Sequence, residues 1–262
     1  NHPEPRPELN SKIKLTPRYL KKAISNFEIC FLVIASEIWK LLPNENQIHR
    51  GNTLWMRGYH HLNNDDYETM ILIGDYIAQD NKINSIAITD HIRIESDYFD
   101  NYETEIKSLN SKSKLNIYVG FEAKVADFSG NIDVKDEIAL RADIAIVSVH
   151  RFPLGSRLYK ASEFKKNIAQ EIELELSLAA LNKGGFNVLG HAGGMSMTHF
   201  REFPCSYYEE IISKCCQNEI AFDFSGRYHI KSLDILYPLL KKYNPFVCIG
   251  SDSHAIKPLG RW

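Results

Sequence analysis

Phe246-Val247-Cys248-Ile249-Gly250-Ser251-Asp252-Ser253-His254 is the stretch whose reading decides the fold. Residues 246–249 form a short apolar run of the kind that makes a buried β-strand, and Gly250 ends it, so Asp252 and His254 leave the strand at its carboxyl end. Carboxyl ends of parallel strands are where α/β enzymes carry their sites. On an extended chain residues two apart point the same way. The carboxylate and imidazole of Asp-x-His can therefore reach one point in space, which suits a metal ion. An isolated Asp-x-His is as readily a polar surface loop; the other histidines give this one its meaning.

The same unit recurs upstream. Apolar runs near residues 54, 86, 117, 145, 188, 221 and 247 read as strands. Between them, apolar residues recur at helical spacing over 67–79, 102–109, about 134–140, 161–182, 207–218 and 232–243. Short strands alternating strictly with helices predict a parallel sheet, and at 262 residues a closed barrel is expected rather than an open sheet. The barrel domain is placed at 51–262. Before it, Pro3, Pro5 and Pro7 mark an arm, and Thr16-Pro17 opens a helix to about Leu42, stopped by Pro43, giving an N-terminal helical extension over 1–50. With the chain ending at Trp262, either a terminal segment is missing or this helix covers the barrel's flank.

Composition narrows the function classes. Formal net charge is -2, from 31 basic and 33 acidic residues in no long single-sign run, so no extended nucleic-acid or anionic-membrane surface is expected. The five cysteines are odd in number and lack framework spacing, which points to a reduced, cytoplasmic setting. The apolar run 29–38 is interrupted by Glu37 and too short to span a bilayer.

His60/His61, His91, Glu122, His150, His191 and the pair Asp252/His254 all follow apolar strands, where a barrel would converge them on one mouth. One histidine at a strand end is usually a hydrogen-bonded structural residue. A whole set on one face suits a metal centre, and imidazoles with a few carboxylates suit zinc, iron or manganese. So many ligands exceed the three protein ligands of a catalytic zinc, which implies two or three ions.

Ile-Ala-Ile-Thr-Asp-His at 86–91, Gly-Phe-Glu at 120–122, Val-Ser-Val-His at 147–150, Gly-His at 190–191 and Gly-Ser-Asp-Ser-His at 250–254 resemble, in order and spacing, the motifs of the PHP (polymerase and histidinol phosphatase) superfamily. The resemblance covers roughly residues 54–254 and implies a distorted seven-stranded parallel barrel, a trinuclear site of manganese, iron or zinc, and phosphoester hydrolysis. Its metal ligands would be His91, Glu122, His150, His191, Asp252 and His254, plus the first motif. That motif departs from the family's His-x-His: His60 and His61 are adjacent and Leu62 follows. If Tyr59-His60 sets the register, Leu62 replaces a ligand; if the distance to Asp66 sets it, His61 is the ligand. Neighbours on a strand point to opposite faces, so both bind one cluster only at a kink or bulge.

Clustered divalent ions lower the pKa of a bound water, so a metal-activated hydroxide is the expected nucleophile, with Asp252, His254 and Arg93 at the reacting phosphoryl group. Arg93, Lys124, Arg151 and Arg227 fall near the same strand ends and form a candidate phosphate-binding rim. Asp223 is either a carboxylate supporting the ligands or a plain strand residue, and His199 and His229 are either substrate contacts or exposed loop residues. The favoured function is a phosphatase acting on a small phosphomonoester. The alternatives are a nucleotide or nucleic-acid phosphodiesterase or exonuclease, which the balanced charge disfavours, and a catalytically impaired binding protein on the same barrel.

Overall fold

The structure, a computed structural model, describes residues 85–111 and 116–250. Within them run β1 (Ser85–His91), α1 (Phe99–Asn110), β2 (Asn116–Lys124), α2 (Asp136–Arg141), β3 (Ile144–Ser148), β4 (Phe152–Leu154), β5 (Arg157–Tyr159), α3 (Lys166–Lys183), β6 (Val188–Gly190), α4 (Gly194–Phe200), α5 (Cys205–Gln217), β7 (Ala221–Ser225), α6 (Leu233–Tyr243) and β8 (Val247–Gly250). Six strands make one sheet in the order β1-β2-β3-β6-β7-β8, every neighbouring pair parallel. The strand expected near residue 54, the helix at 67–79 and the N-terminal extension over 1–50 lie outside the described residues. None of the described helices is long and apolar enough to cross a membrane.

Each strand is apolar on both faces, as a parallel sheet covered on both sides requires. One face, with Ile88, Val119, Phe121, Val147, Leu189 and Phe222, joins the main core beneath the helices. Helix α5 shows why they dock: Tyr208, Ile211, Ile212 and Cys215 recur at 3.6-residue spacing and are all buried, each large side chain contributing about 1.5–3 kcal/mol. The opposite face starts apolar, with Ala87, Ile144, Ile146, Val188, Ala221 and Phe246. Two residues further along the same strands it turns polar: Thr89 then His91, Ser148 then His150, Asp223 then Ser225. That face is an apolar floor under a polar layer at the carboxyl ends.

Three local readings change. Strands β1 and β2 run past 88 and 120, because the ladder continues with His91 opposite Glu122 and Glu122 opposite Ile146; Glu122 thus sits inside its strand rather than after it. The helix expected over 161–182 starts at Lys166, after a 3-10 turn over Ala161–Glu163 in which the Glu163 carboxylate accepts the Lys160 N–H at 2.6 Å and holds the chain out of the helix. Residues 152–159 form an antiparallel hairpin, β4 with β5, around Gly155-Ser156, a two-residue turn whose Gly155 has φ 61°.

Candidate metal centre

The register assembles the centre. His91 and Glu122 are direct partners across β1 and β2, and Ser148 and Gly190 are partners across β3 and β6, so His150 and His191 emerge side by side. Four side chains meet there. Glu122 Oε2 lies 3.4 Å from His91 Nδ1, and Glu122 Oε1 lies 3.2 Å from both His150 Nε2 and His191 Nε2. The two Nε2 atoms are 3.2 Å from each other. Glu122 and His191 are buried, while the His91 and His150 side chains are 28% and 21% exposed, so the cluster opens to solvent on one side.

The surrounding polypeptide fixes these side chains. Ser148 Oγ donates a 2.6 Å hydrogen bond to Glu122 Oε1. Gly190 makes room for that hydroxyl, since a Cβ on Gly190 would collide with Ser148 Oγ. His191 has φ 30°, a left-handed backbone costing roughly 1–2 kcal/mol in a residue with a Cβ. The buried Asp223 carboxylate holds it there by accepting the His191 N–H at 3.0 Å. Gly194 lets the imidazole lie flat against the turn: a Cβ at 194 would stand 2.9 Å from His191 Nδ1. On the other side Tyr98 donates its hydroxyl to the His91 carbonyl at 2.7 Å.

Burial alone would raise the Glu122 carboxyl, but the charges of His150 and His91 and the hydrogen bonds from His150 and His191 outweigh it and hold it well below the usual carboxylate range. Burial also pushes His150 below the ordinary imidazole value, against the pull of Glu122. A metal ligand set needs both groups deprotonated, and both shifts run in that direction. The spacing fits as well. Atoms bound to one zinc-sized ion at roughly 2.0–2.2 Å stand about 3 to 3.6 Å apart, and the contacts among Glu122, His150 and His191 are all 3.2 Å. His91, Glu122 and His150 can each offer one ligand atom, all within 4.8 Å of one another.

Of the sequence-predicted ligands, His91, Glu122, His150 and His191 come together. His60, His61, Asp66, Asp252 and His254 lie outside the described residues. The cations take separate parts. Arg93 Nη1 donates to the carbonyls of Ile92, at 2.7 Å, and Glu122, at 3.1 Å. Lys124 Nζ pairs with Asp133 Oδ2 at 2.8 Å, and Arg93 Nε lies 3.9 Å from the same oxygen. Arg151 is exposed beside His150. Arg227 is exposed over the ring of Tyr228, whose centroid lies 5.0 Å from that of His191. His199 is exposed but lies on helix α4 and not in a loop, whereas His229 lies in the turn after β7 and is fully buried, so it is not an exposed loop residue. Ser148 and Asp133 were not singled out from sequence. Ser148 carried a signal, a hydroxyl in an otherwise apolar strand two residues before a histidine; Asp133 carried none.

No protein-family model matches the chain. It is 25% identical over 189 residues to a Caldicellulosiruptor bescii protein named "Probable phosphatase", a match covering 70% of this chain and 72% of that one. It is 22% identical over 171 residues to a Clostridium botulinum (strain Langeland) protein of the same name, covering 63% and 62% respectively, so it spans less than two thirds of that relative. Among solved structures, the fold matches the crystal structure of the "putative histidinol phosphatase hisK from Listeria monocytogenes" with a TM-score of 0.55 at 18% identity, over 74% of this chain and 91% of that one. The chain thus shares its fold with that structure, and the sequence relatives it matches carry phosphatase names.

Proposed function

We propose that this chain is a metal-dependent phosphoesterase of the PHP superfamily that hydrolyses a small phosphomonoester on a seven-stranded barrel. His91, Glu122, His150 and His191, with Asp252, His254 and the His60/His61/Asp66 motif, would hold two or three divalent transition-metal ions. The observation that carries this reading is the convergence of Glu122 Oε1, His150 Nε2 and His191 Nε2 at mutual 3.2 Å separations, at the carboxyl ends of parallel strands. The names of the Caldicellulosiruptor and Clostridium relatives and of the Listeria structure support the phosphatase assignment, and the last makes histidinol phosphate a candidate substrate.

Divalent ions held by these residues would supply a water of lowered pKa and neutralise charge on the phosphoryl oxygens. The chain's own residues do the rest. Glu122 offers carboxylate charge at the base of the site, one oxygen oriented by the Ser148 hydroxyl. His91 and His150, the more exposed imidazoles, face the incoming substrate. Arg227 and Arg151 present guanidinium donors from exposed positions near the rim, as planar recognition of a phosphoryl group requires. Arg93 reaches the site through the Glu122 carbonyl and so orients a candidate ligand.

Release of inorganic phosphate from an aryl phosphate, after chelator treatment and after readdition of manganese or zinc, tests this function. Metal-dependent release that is lost in Glu122→Gln supports it. Turnover of a diester but not a monoester would move the assignment to a phosphodiesterase, and metal binding without turnover of either would move it to a binding protein.

A further inference from the structure

We infer that His229 is a positioning residue that sets His191 from the far side of its backbone; this rests on the reading of His191 as a ligand. His229 belongs to none of the candidate ligands and is fully buried between the end of β7 and the turn after β6. Its Nδ1 accepts the Ser225 N–H at 3.1 Å, so that nitrogen carries no proton, and its Nε2 lies 2.8 Å from the carbonyl of Ala192. A carbonyl only accepts, so the proton is on Nε2 and points at Ala192. One neutral tautomer therefore staples the strand exit to the residue that follows His191. The ring is stacked on Phe222, with centroids 5.4 Å apart and planes 21° apart, and Tyr208 meets it edge-on, so the staple cannot swing.

The target needs such a restraint. His191 sits at φ 30°, in a region that residues with a Cβ avoid. Asp223 holds its N–H, the Gly194 N–H donates to its carbonyl at 2.8 Å, and His229 holds the next carbonyl. Asp223 and His229 both come from β7 and its exit, so a single strand grips the His191 peptide on both sides. Without His229 the Ala192 carbonyl is released, the turn can relax toward an ordinary φ, and the imidazole leaves the position where its Nε2 stands 3.2 Å from Glu122 and His150.

The test uses His229→Gln and His229→Phe in the full chain, with Leu236→Ala as a core control that destabilises the fold away from the site. Zinc dissociation constants measured on the folded proteins by chelator competition should weaken about 10- to 100-fold in both His229 variants, the range typical for losing a residue that orients a ligand, and stay at the wild-type value in the control. A zinc affinity unchanged in the His229 variants would overturn the inference. Nitrogen-15 spectra of histidine-labelled, metal-free protein give a second readout that needs no metal. His229 should show the Nε2–H pattern throughout the neutral range, and the His191 resonances should shift in both variants. A His229 ring that averages between tautomers, or His191 signals that do not move, would also overturn it. If the wild-type protein binds no zinc, the preceding functional reading fails and the spectra alone decide the role of His229.

Discussion

Ser148 Oγ donates its proton to Glu122 Oε1, the same oxygen toward which the Nε2 atoms of His150 and His191 converge. One carboxylate oxygen is thus oriented by a hydroxyl from the neighbouring strand before it meets the imidazoles. Ser148→Ala removes that donor while keeping the strand and the space. The expected result is a roughly 10-fold or greater loss of metal affinity with a stability loss of about 1 kcal/mol. Isothermal titration with zinc and a urea melt of the same preparation separate the two.

Gly190→Ala tests the same hydrogen bond from the opposite strand. The added methyl would collide with Ser148 Oγ and press on Ile146 Cγ2, 2.9 Å away. The Ser148 hydroxyl must then leave Glu122 or the two strands must part, so Gly190→Ala should cost more stability than Ser148→Ala, about 1–3 kcal/mol by overpacking. In a double-mutant cycle, Gly190→Ala should be less damaging in the Ser148→Ala background, because the colliding atom is gone; strict additivity would contradict this packing.

Much of this arrangement was legible in the sequence. The strands near 86, 117, 145, 188, 221 and 247 were marked by apolar runs, and His91, Glu122, His150 and His191 were identified as a converging set, because a short buried strand followed by a polar residue leaves a linear signature. The supports of the site were less legible. Ser148 acts on Glu122, 26 residues away, and His229 acts on Ala192, 37 residues away, so neither partnership has any local pattern. Arg93 was assigned to phosphate by its charge and its place after His91, but the fold turns its Nη1 onto two carbonyls. Charge is readable from composition, whereas the direction of a guanidinium is set by tertiary neighbours.

If Arg93 acts by orienting Glu122 through the carbonyl, Arg93→Lys keeps the charge but loses the planar Nη1 group that donates to both carbonyls, and metal affinity should fall almost as far as in Arg93→Ala. The inhibition constant of inorganic phosphate, measured at saturating metal, should change little in either variant. Metal affinity retained in Arg93→Lys together with weakened phosphate inhibition in Arg93→Ala would return Arg93 to the substrate.

Acid stability should carry the signature of His229. Burial lowers its pKa to about 4, partly opposed by its bond to Ala192. The unfolded chain, at the ordinary value near 6.5, binds a proton that the folded protein refuses. The stabilising contribution is therefore complete above pH 6.5 and is lost as pH falls toward 4, about 3 kcal/mol in total. Urea midpoints for wild type and His229→Phe should converge on acidification across that window. A constant gap between them from pH 7 to pH 4 would show that His229 does not resist protonation. The Glu122 carboxyl, held well below its usual range, contributes in the same direction at lower pH.

Whether the Glu122 cluster is a metal centre for phosphate ester hydrolysis is decided by metal content and aryl phosphatase activity measured on one preparation of the wild type and of Glu122→Gln. The substitution keeps the shape and leaves Ser148 a carbonyl acceptor, but removes the charge. The reconstituted wild type should hold at least two transition-metal ions per chain and release phosphate in a metal-dependent way, and Glu122→Gln should lose at least one ion together with most of the activity. A reconstituted wild type with metal content near zero, or a Glu122→Gln protein with unchanged metal and unchanged turnover, would contradict it.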